Sequence, residues 1–132
     1  MRQHEGCVLC FIELDAEQEV IFETDHCLYV QKKSVQERLE GSGLIIPKAH
    51  KETVFDFSEV EWKETYELLE KVKIYLEERF QPDGYNLGWN VGEVGGQSIP
   101  HAHLHVIPRY KDERYAGKGI RYWLKQAENR RG

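Results

Sequence analysis

The sequence predicts an α+β fold: a mostly antiparallel five-stranded sheet, one long helix, and an extended C-terminal tail. Three observations carry this expectation. The segment from Ser58 to Phe80 repeats apolar side chains at helical spacing. Five short segments rich in β-branched and aromatic residues lie outside it. Most of these follow one another with no helix between them, which favours antiparallel pairing over βαβ units.

Taken in order, strands are expected at Glu19–Glu23, Cys27–Gln31 and Gly43–Ile46, each bounded by turn formers. The helix opens on a capping box, Ser58 with Glu61 three residues on, in which each side chain satisfies an orphan backbone donor. Trp62, Tyr66, Leu69, Val72, Leu76 and Phe80 then fall on one helical face. Pro82 and Asp83-Gly84 end the helix. Two more strands are expected at Tyr85–Val91 and His101–Ile107. From Lys111 to Gly132 the chain reads as a tail that wraps the body.

The 132 residues suit a single domain over 1–132, with enough buried surface to fold without disulfides. A net charge of −5 argues against nucleic acid or an anionic membrane as partner, since both require a basic surface. Leu44-Ile45-Ile46, closed by Pro47, is far short of the ~20 apolar residues of a membrane span. Met1–Gly6 has no apolar signal-type core, and three cysteines are an odd number for a disulfide scaffold. A cytoplasmic location is the expectation.

The chemistry is concentrated in His101-Ala102-His103-Leu104-His105-Val106-Ile107-Pro108, which holds half of the six histidines. On a strand the three histidines share one face, with Ala102, Leu104 and Val106 turned to the core. A His-x-His pair can grip a metal. All three cannot, because strand residues four apart are separated by about 13 Å. At least one is therefore available as a nucleophile or proton shuttle, being largely neutral at pH 7.

Upstream, Gly92, Gly95 and Gly96 let the backbone turn its amides towards an anion, with Asn90, Gln97 and Ser98 adding neutral hydrogen-bonding groups. A glycine nest beside an imidazole suits phosphoryl or nucleotidyl transfer. Cys7-x2-Cys10 reads as a zinc half-site, a redox pair, for which the thioredoxin-like βαβ context is missing, or a coincidence; as a zinc half-site its partners stay open among His4, His26, His50 and the triplet. Cys27 reads as a small buried hydrophobe.

Together, Cys7-x2-Cys10, Leu44-Ile45-Ile46-Pro47-Lys48-Ala49-His50, Gly96-Gln97-Ser98 and His101-x-His103-x-His105-Val106-Ile107-Pro108-Arg109 resemble the histidine triad (HIT) superfamily, in particular its zinc-containing branch and its dinucleoside polyphosphate hydrolases. The resemblance implies a HIT-like fold and a homodimer. It implies His103 as the nucleophile that forms a covalent nucleotidyl-histidine, and His105 as a hydrogen bond to the α-phosphate. Asn90, Gly96, Gln97 and Ser98 fall on positions holding phosphate oxygens or the leaving group, Gln97 being counted with the catalytic residues. Cys7, Cys10, His50 and His101 fall on the ligands of a structural Zn²⁺. The substrates implied are dinucleoside polyphosphates or nucleoside phosphoramidates, releasing a nucleoside monophosphate, with Mg²⁺ as a companion of a polyphosphate substrate.

Two departures stand out. Ser42, within Gly41-Ser42-Gly43, occupies the place of a fourth histidine that supports the nucleophile in many members, and the loop from Lys32 to Glu40 is longer and more charged than usual. The ribose contact is placed at Gln31, and Lys118, Arg121 and Trp123 of the tail suit a second phosphate or base. Two other readings compete: a nucleotide-binding protein with vestigial catalysis, and a metal-dependent hydrolase using the triad as ligands.

Overall fold

In the computed structural model, which describes residues 4–132, strands β1 (Gln18–Glu23), β2 (Cys27–Lys32), β3 (Gly43–Pro47), β4 (Gly84–Gly88) and β5 (Leu104–Arg109) accompany one long helix, α1 (Glu59–Phe80). Met1, Arg2 and Gln3, part of the opening stretch read above as lacking a signal core, lie outside the described residues. The strands form one sheet in the order β1-β2-β3-β5-β4, and every pairing is antiparallel. The α+β expectation holds.

Alternation along the strands gives the sheet two unlike faces. Cys27, Tyr29, Ile45, Leu104 and Val106 point to one side and pack against Leu68, Val72 and Leu76 of α1. Val30 and Ile46 point to the other, where Cys7, Leu9, Cys10 and Ile12 of the N-terminal segment cover them. Cys27 is fully buried, and burial pushes its thiol up to about 11, as suits an inert core residue. His105 is on the second face, beside Leu44 of β3 and Gly88 of β4 in the register.

The helix begins on the expected capping box, Ser58 Oγ accepting from the Glu61 amide and the Glu61 carboxylate from the Ser58 amide. Its buried stripe is offset from the expected one over the first two turns. Glu61, Thr65, Leu68, Val72 and Leu76 face inward, whereas Trp62 and Tyr66 are 47% and 62% exposed. Glu61 tolerates burial because Lys51 Nζ lies 3.2 Å from its carboxylate and Ser58 bonds it. Trp62 packs edge-on against Phe57 and Trp89 at the helix start.

The last two strands are shorter than expected. β4 ends at Gly88, where Trp89 turns into that aromatic cluster. β5 starts at Leu104 instead of His101. The β3–β5 ladder stops at Ile45–Leu104, two residues short of Pro47, which has no N–H to donate. The Ala102 amide bonds the Lys51 carbonyl at 2.7 Å instead. The inward alternation of Leu104 and Val106 holds, but His101 and His103 lie in an irregular lead-in to the strand.

After β5 the tail is a succession of mostly exposed turns closing on a 3-10 turn, Ala127–Asn129, not an extended wrap. Its first half is anchored by Arg109. Trp123 is 62% exposed and contacts the rings of Tyr115 and Tyr122.

Candidate functional site

The second face of the sheet carries two arrangements that share the segment His101–His105. The first is a cluster of Cys7, Cys10, His50 and His101, whose donor atoms all lie within 4.8 Å of one another. His101 Nδ1 is 3.4 Å from Cys7 Sγ and 3.5 Å from Cys10 Sγ, and His50 Nδ1 is 3.3 Å from Cys10 Sγ. Tetrahedral zinc with bonds of 2.0–2.3 Å needs its donors about 3.3–3.8 Å apart. The donor set and its spacing therefore fit Zn²⁺.

The hydrogen bonds behind these donors suit the same purpose. His101 Nε2 lies 2.8 Å from the Pro47 carbonyl. A carbonyl oxygen only accepts, so Nε2 carries the proton and Nδ1 presents its lone pair to the thiols. Burial holds His101 well below the ordinary imidazole range, at about 4, which keeps the ring neutral. Burial also raises the Cys10 thiol, and the neighbouring Cys7 adds to this against the His4 amide. A divalent cation reverses that tendency by stabilising the thiolates. His4 is near the cluster, its amide donating to Cys10 Sγ and its ring stacked on His50 at 4.5 Å. His26 is elsewhere, its Nδ1 paired with Glu64 at 2.6 Å.

The second arrangement is built around His103. Its Nδ1 lies 2.8 Å from the His101 carbonyl. By the same logic Nδ1 is the protonated nitrogen and Nε2 holds a free lone pair. His105 packs against it with ring centroids 5.0 Å apart, and burial first, then His103, lowers the His105 pKa. Both rings line a cavity of about 470 Å³ together with Ser42 and Ser98. Val8, Leu9, Val35 and Leu39 supply apolar walls, and Asp15, Gln18 and Lys32 supply polar groups. Sequence reasoning missed these wall residues. Gln18 and Lys32 are register partners on β1 and β2, and only the strand pairing reveals that they meet.

The remaining expected residues are distributed as follows. Asn90 lines a smaller cavity on the other side of His105. Gly96 adopts φ +96°, and Gly95 sits where a side chain would collide with the Val91 carbonyl, so the loop requires both glycines. The amides of Gly95, Gly96 and Gln97 bond back to Gly92 and Glu93, so they close the loop instead of forming an open anion nest. The Gln97 side chain is likewise engaged. Its Nε2 donates to the carbonyls of Glu52 and Ile99 at 2.7 and 2.9 Å, and its Oε1 accepts from the Gly92 amide.

Gln31 is not in this cavity. It is buried on the helix side of the sheet, donating to Tyr29 Oη and the Gly41 carbonyl. Lys32, one residue on, points to the cavity face because side chains alternate. The long loop after β2 forms a wall through Val35 and Leu39, held by Gln36, whose amide bridges Lys32, Gly41 and Ser42. In the tail, Lys118 rests on the Tyr122 ring, and Ile120, not Trp123, reaches a cavity. Among the described residues no helix is long and apolar enough to cross a membrane.

Comparison with known proteins agrees with this geometry. A family model of the HIT domain matches residues 13–112. The Bacillus subtilis protein hit is 34% identical over 107 residues, covering 80% of this chain and 72% of that protein. A crystal structure of a Bacillus subtilis HIT family member superposes with a TM-score of 0.72 at 34% identity, covering 82% of this chain and 76% of the other. A zinc-bound histidine triad protein from Mycobacterium smegmatis superposes with a TM-score of 0.68 at 26% identity, covering 83% and 78%. The asymmetrical bis(5'-nucleosyl)-tetraphosphatase of Schizosaccharomyces pombe is 33% identical over 73 residues, 55% of this chain and 40% of its own. With the fold, the triplet and the domain match in agreement, this chain belongs to the HIT family.

Proposed function

We propose that this chain is a nucleotide hydrolase or nucleotidyl transferase that works through a covalent nucleotidyl-histidine on His103. The observation that carries the reading is the bond from His103 Nδ1 to the His101 carbonyl, which puts the lone pair of the neutral ring on Nε2, in a residue that lines a cavity of about 470 Å³. Nε2 attacks the α-phosphorus of a nucleotide. The N–P bond forms as the bond to the leaving group breaks, and the leaving group keeps the electron pair. Positive charge grows on the ring and is stabilised by the carbonyl at Nδ1. Water then adds to phosphorus, the N–P electrons return to Nε2, and a nucleoside monophosphate is released.

His105, with a buried Nε2 that has no partner among the described residues, donates to the α-phosphate. Ser42 and Ser98 offer hydroxyls in the same cavity. Gln97 acts as a positioning residue: its amide ties the glycine loop to the Glu52 carbonyl, and the loop sets Asn90 and Ser98. Gly96 leaves room beside Asn90, whose side chain lies 3.7 Å from where a Cβ would stand. The nucleoside enters between the apolar walls, with Gln18 and Lys32 at the polar end. Dinucleoside polyphosphates and nucleoside phosphoramidates both fit this scheme, and Mg²⁺ belongs with the polyphosphate.

Cys7, Cys10, His50 and His101 would hold Zn²⁺. With four protein donors there is no open coordination position, so the ion supplies structural cross-linking rather than chemistry on substrate. His101 joins the two parts, its ring facing the cluster and its carbonyl orienting the nucleophile.

A homodimer suits the exposed side of the molecule. β4 is an edge strand, its exposed Leu87 lines a cavity with Leu69 and Glu70 of α1, and Tyr66, bonded to Glu70, is exposed as well. An unpaired edge beside apolar side chains is a surface that a second copy covers. Tyr66→Arg is expected to shift the mass measured by light scattering from dimer to monomer.

The test of the enzymatic reading is nucleoside monophosphate release from diadenosine triphosphate and adenosine 5'-phosphoramidate by wild type and His103→Ala, with zinc assayed in both. The reading expects turnover by wild type, none by the variant, and about one zinc per chain in each. Loss of zinc together with activity in His103→Ala would favour the triad as metal ligands.

A further inference from the structure

The cavity beside the triad has a charged end that the phosphoryl chemistry does not use. Asp15, Gln18 and Lys32 line it there. Gln18 and Lys32 are partners in the β1–β2 register, and the Gln18 amide donates to the Asp15 carbonyl at 3.0 Å. In the order β1-β2-β3-β5-β4, Lys32 stands two strands from His105 and Gln18 three. At about 4.8 Å per strand these offsets are roughly 10 and 14 Å. A nucleotide whose α-phosphate sits at the histidines spans that distance by lying across the strands, with its base toward these three residues.

Each of the three has bonding capacity left over. Gln18 Oε1 is buried and has no partner among the described residues. Asp15 Oδ1 accepts from the Glu17 amide at 2.9 Å. Neither Asp15 nor Lys32 makes an ion pair among the described residues. A buried acceptor with no partner is costly, and a ligand that donates to it removes the cost. The end of the cavity thus offers two acceptors and one cationic donor.

The two purines match this set unequally. Adenine presents one donor group, its 6-amino, between ring-nitrogen acceptors. Guanine presents O6 and N7 as acceptors and carries N1–H and the 2-amino group as adjacent donors. A carboxylate only accepts, so Asp15 requires a donor opposite it, and Gln18 Oε1 requires a second. Adenine leaves one of them unmatched. Guanine supplies both and gives O6 to the Lys32 ammonium, a charge-assisted bond. The apolar walls, Val35 and Leu39 among them, do not distinguish one ring from the other.

Resting on the nucleotide reading of this cavity, we propose that Asp15, Gln18 and Lys32 are specificity-determining residues that select a guanine base over adenine. Asp15 carries most of the discrimination, because its carboxylate has no donor to offer in exchange. Lys32 adds to it through O6, where adenine has an amine that repels the ammonium.

The experiment measures kcat/KM of the zinc-loaded chain for guanosine, inosine and adenosine 5'-phosphoramidates, and the binding of GMP and AMP by calorimetry. Guanosine is expected to exceed adenosine about tenfold, with inosine, which lacks the 2-amino group, between them. GMP is expected to bind about tenfold tighter than AMP. Asp15→Asn keeps an oxygen for the Glu17 amide and turns the other position into a donor, so the guanosine-to-adenosine ratio is expected to fall to about one. Lys32→Met removes the cationic donor at an exposed position and is expected to lower the ratio about fivefold. Equal or better use of adenosine by wild type, or a ratio that neither substitution changes, would overturn the assignment. The two readings fail separately. Tighter GMP binding with no turnover of any substrate removes the nucleotidyl-transfer reading alone, and turnover that ignores the base removes the guanine assignment alone. If neither nucleotide binds and none is turned over, both fall.

Discussion

His101 and His103 stand two residues apart, are both buried, and each bonds a backbone carbonyl at 2.8 Å. They use opposite nitrogens to do so. His101 gives up Nε2 to Pro47 and turns Nδ1 to two cysteines, whereas His103 gives up Nδ1 to His101 and keeps Nε2 for the cavity. The ring is the same, and on the proposed reading the direction of one hydrogen bond decides whether it serves as a metal ligand or as a nucleophile. On the proposed reading the two sites are coupled in series, since His101, the proposed ligand, supplies the carbonyl that bonds His103, the proposed nucleophile.

The comparison is broken most severely at its centre. His103→Ala is expected to reduce kcat/KM by roughly 10⁴-fold or more while zinc content and thermal midpoint stay near those of wild type. Steady-state kinetics and metal analysis on one sample check this. His101→Ala is expected to act on both sites, lowering metal affinity more than tenfold and stability by about 3–5 kcal/mol, with activity falling as the carbonyl loses its anchor. Chelator competition and urea denaturation measure the two effects. If His101→Ala kept its zinc, the ligand assignment would be wrong.

A third imidazole sharpens the contrast. His26 pairs with the Glu64 carboxylate instead of a carbonyl, and Glu64 also accepts from Thr24 Oγ1 and the His26 amide. Burial raises the Glu64 pKa, but these bonds outweigh it and hold the group below the ordinary carboxylate range. The bonds tie the β1–β2 turn to α1, so the effect is on stability alone. Glu64→Gln is expected to cost about 1–2 kcal/mol near neutral pH. A depressed carboxylate pKa stabilises the fold above the unfolded value of about 4.5, and the contribution is lost as pH falls through the folded value. The gap between wild type and variant therefore closes in acid, as urea titrations at neutral and acid pH will show, and nucleotide turnover is unchanged.

How far the sequence could be read follows from the range of each interaction. The capping box at Ser58 and Glu61 is local and was legible in full. The convergence of Cys7, Cys10, His50 and His101 was legible through the resemblance, although 94 residues separate the outermost pair. Apolar periodicity chose Trp62 and Tyr66 as the buried stripe because it cannot count Glu61 and Thr65, polar residues buried with partners. The late start of β5 depends on the N–H that Pro47 lacks, a property of the neighbouring strand. The bond from Gln97 to the Glu52 carbonyl, 45 residues away, could not be read from the glycines around it. The walls contributed by Gln18 and Lys32 come from strand register, which no short motif encodes.

The most direct test of the central claim is the site of the covalent intermediate. Wild-type protein is mixed with diadenosine triphosphate, quenched in base within one turnover, and mapped by peptide mass spectrometry. The account expects a nucleoside monophosphate adduct on His103, on chains that retain their zinc before the quench. Turnover with no adduct, or an adduct on His105, would contradict the assignment of His103 Nε2 as the attacking atom.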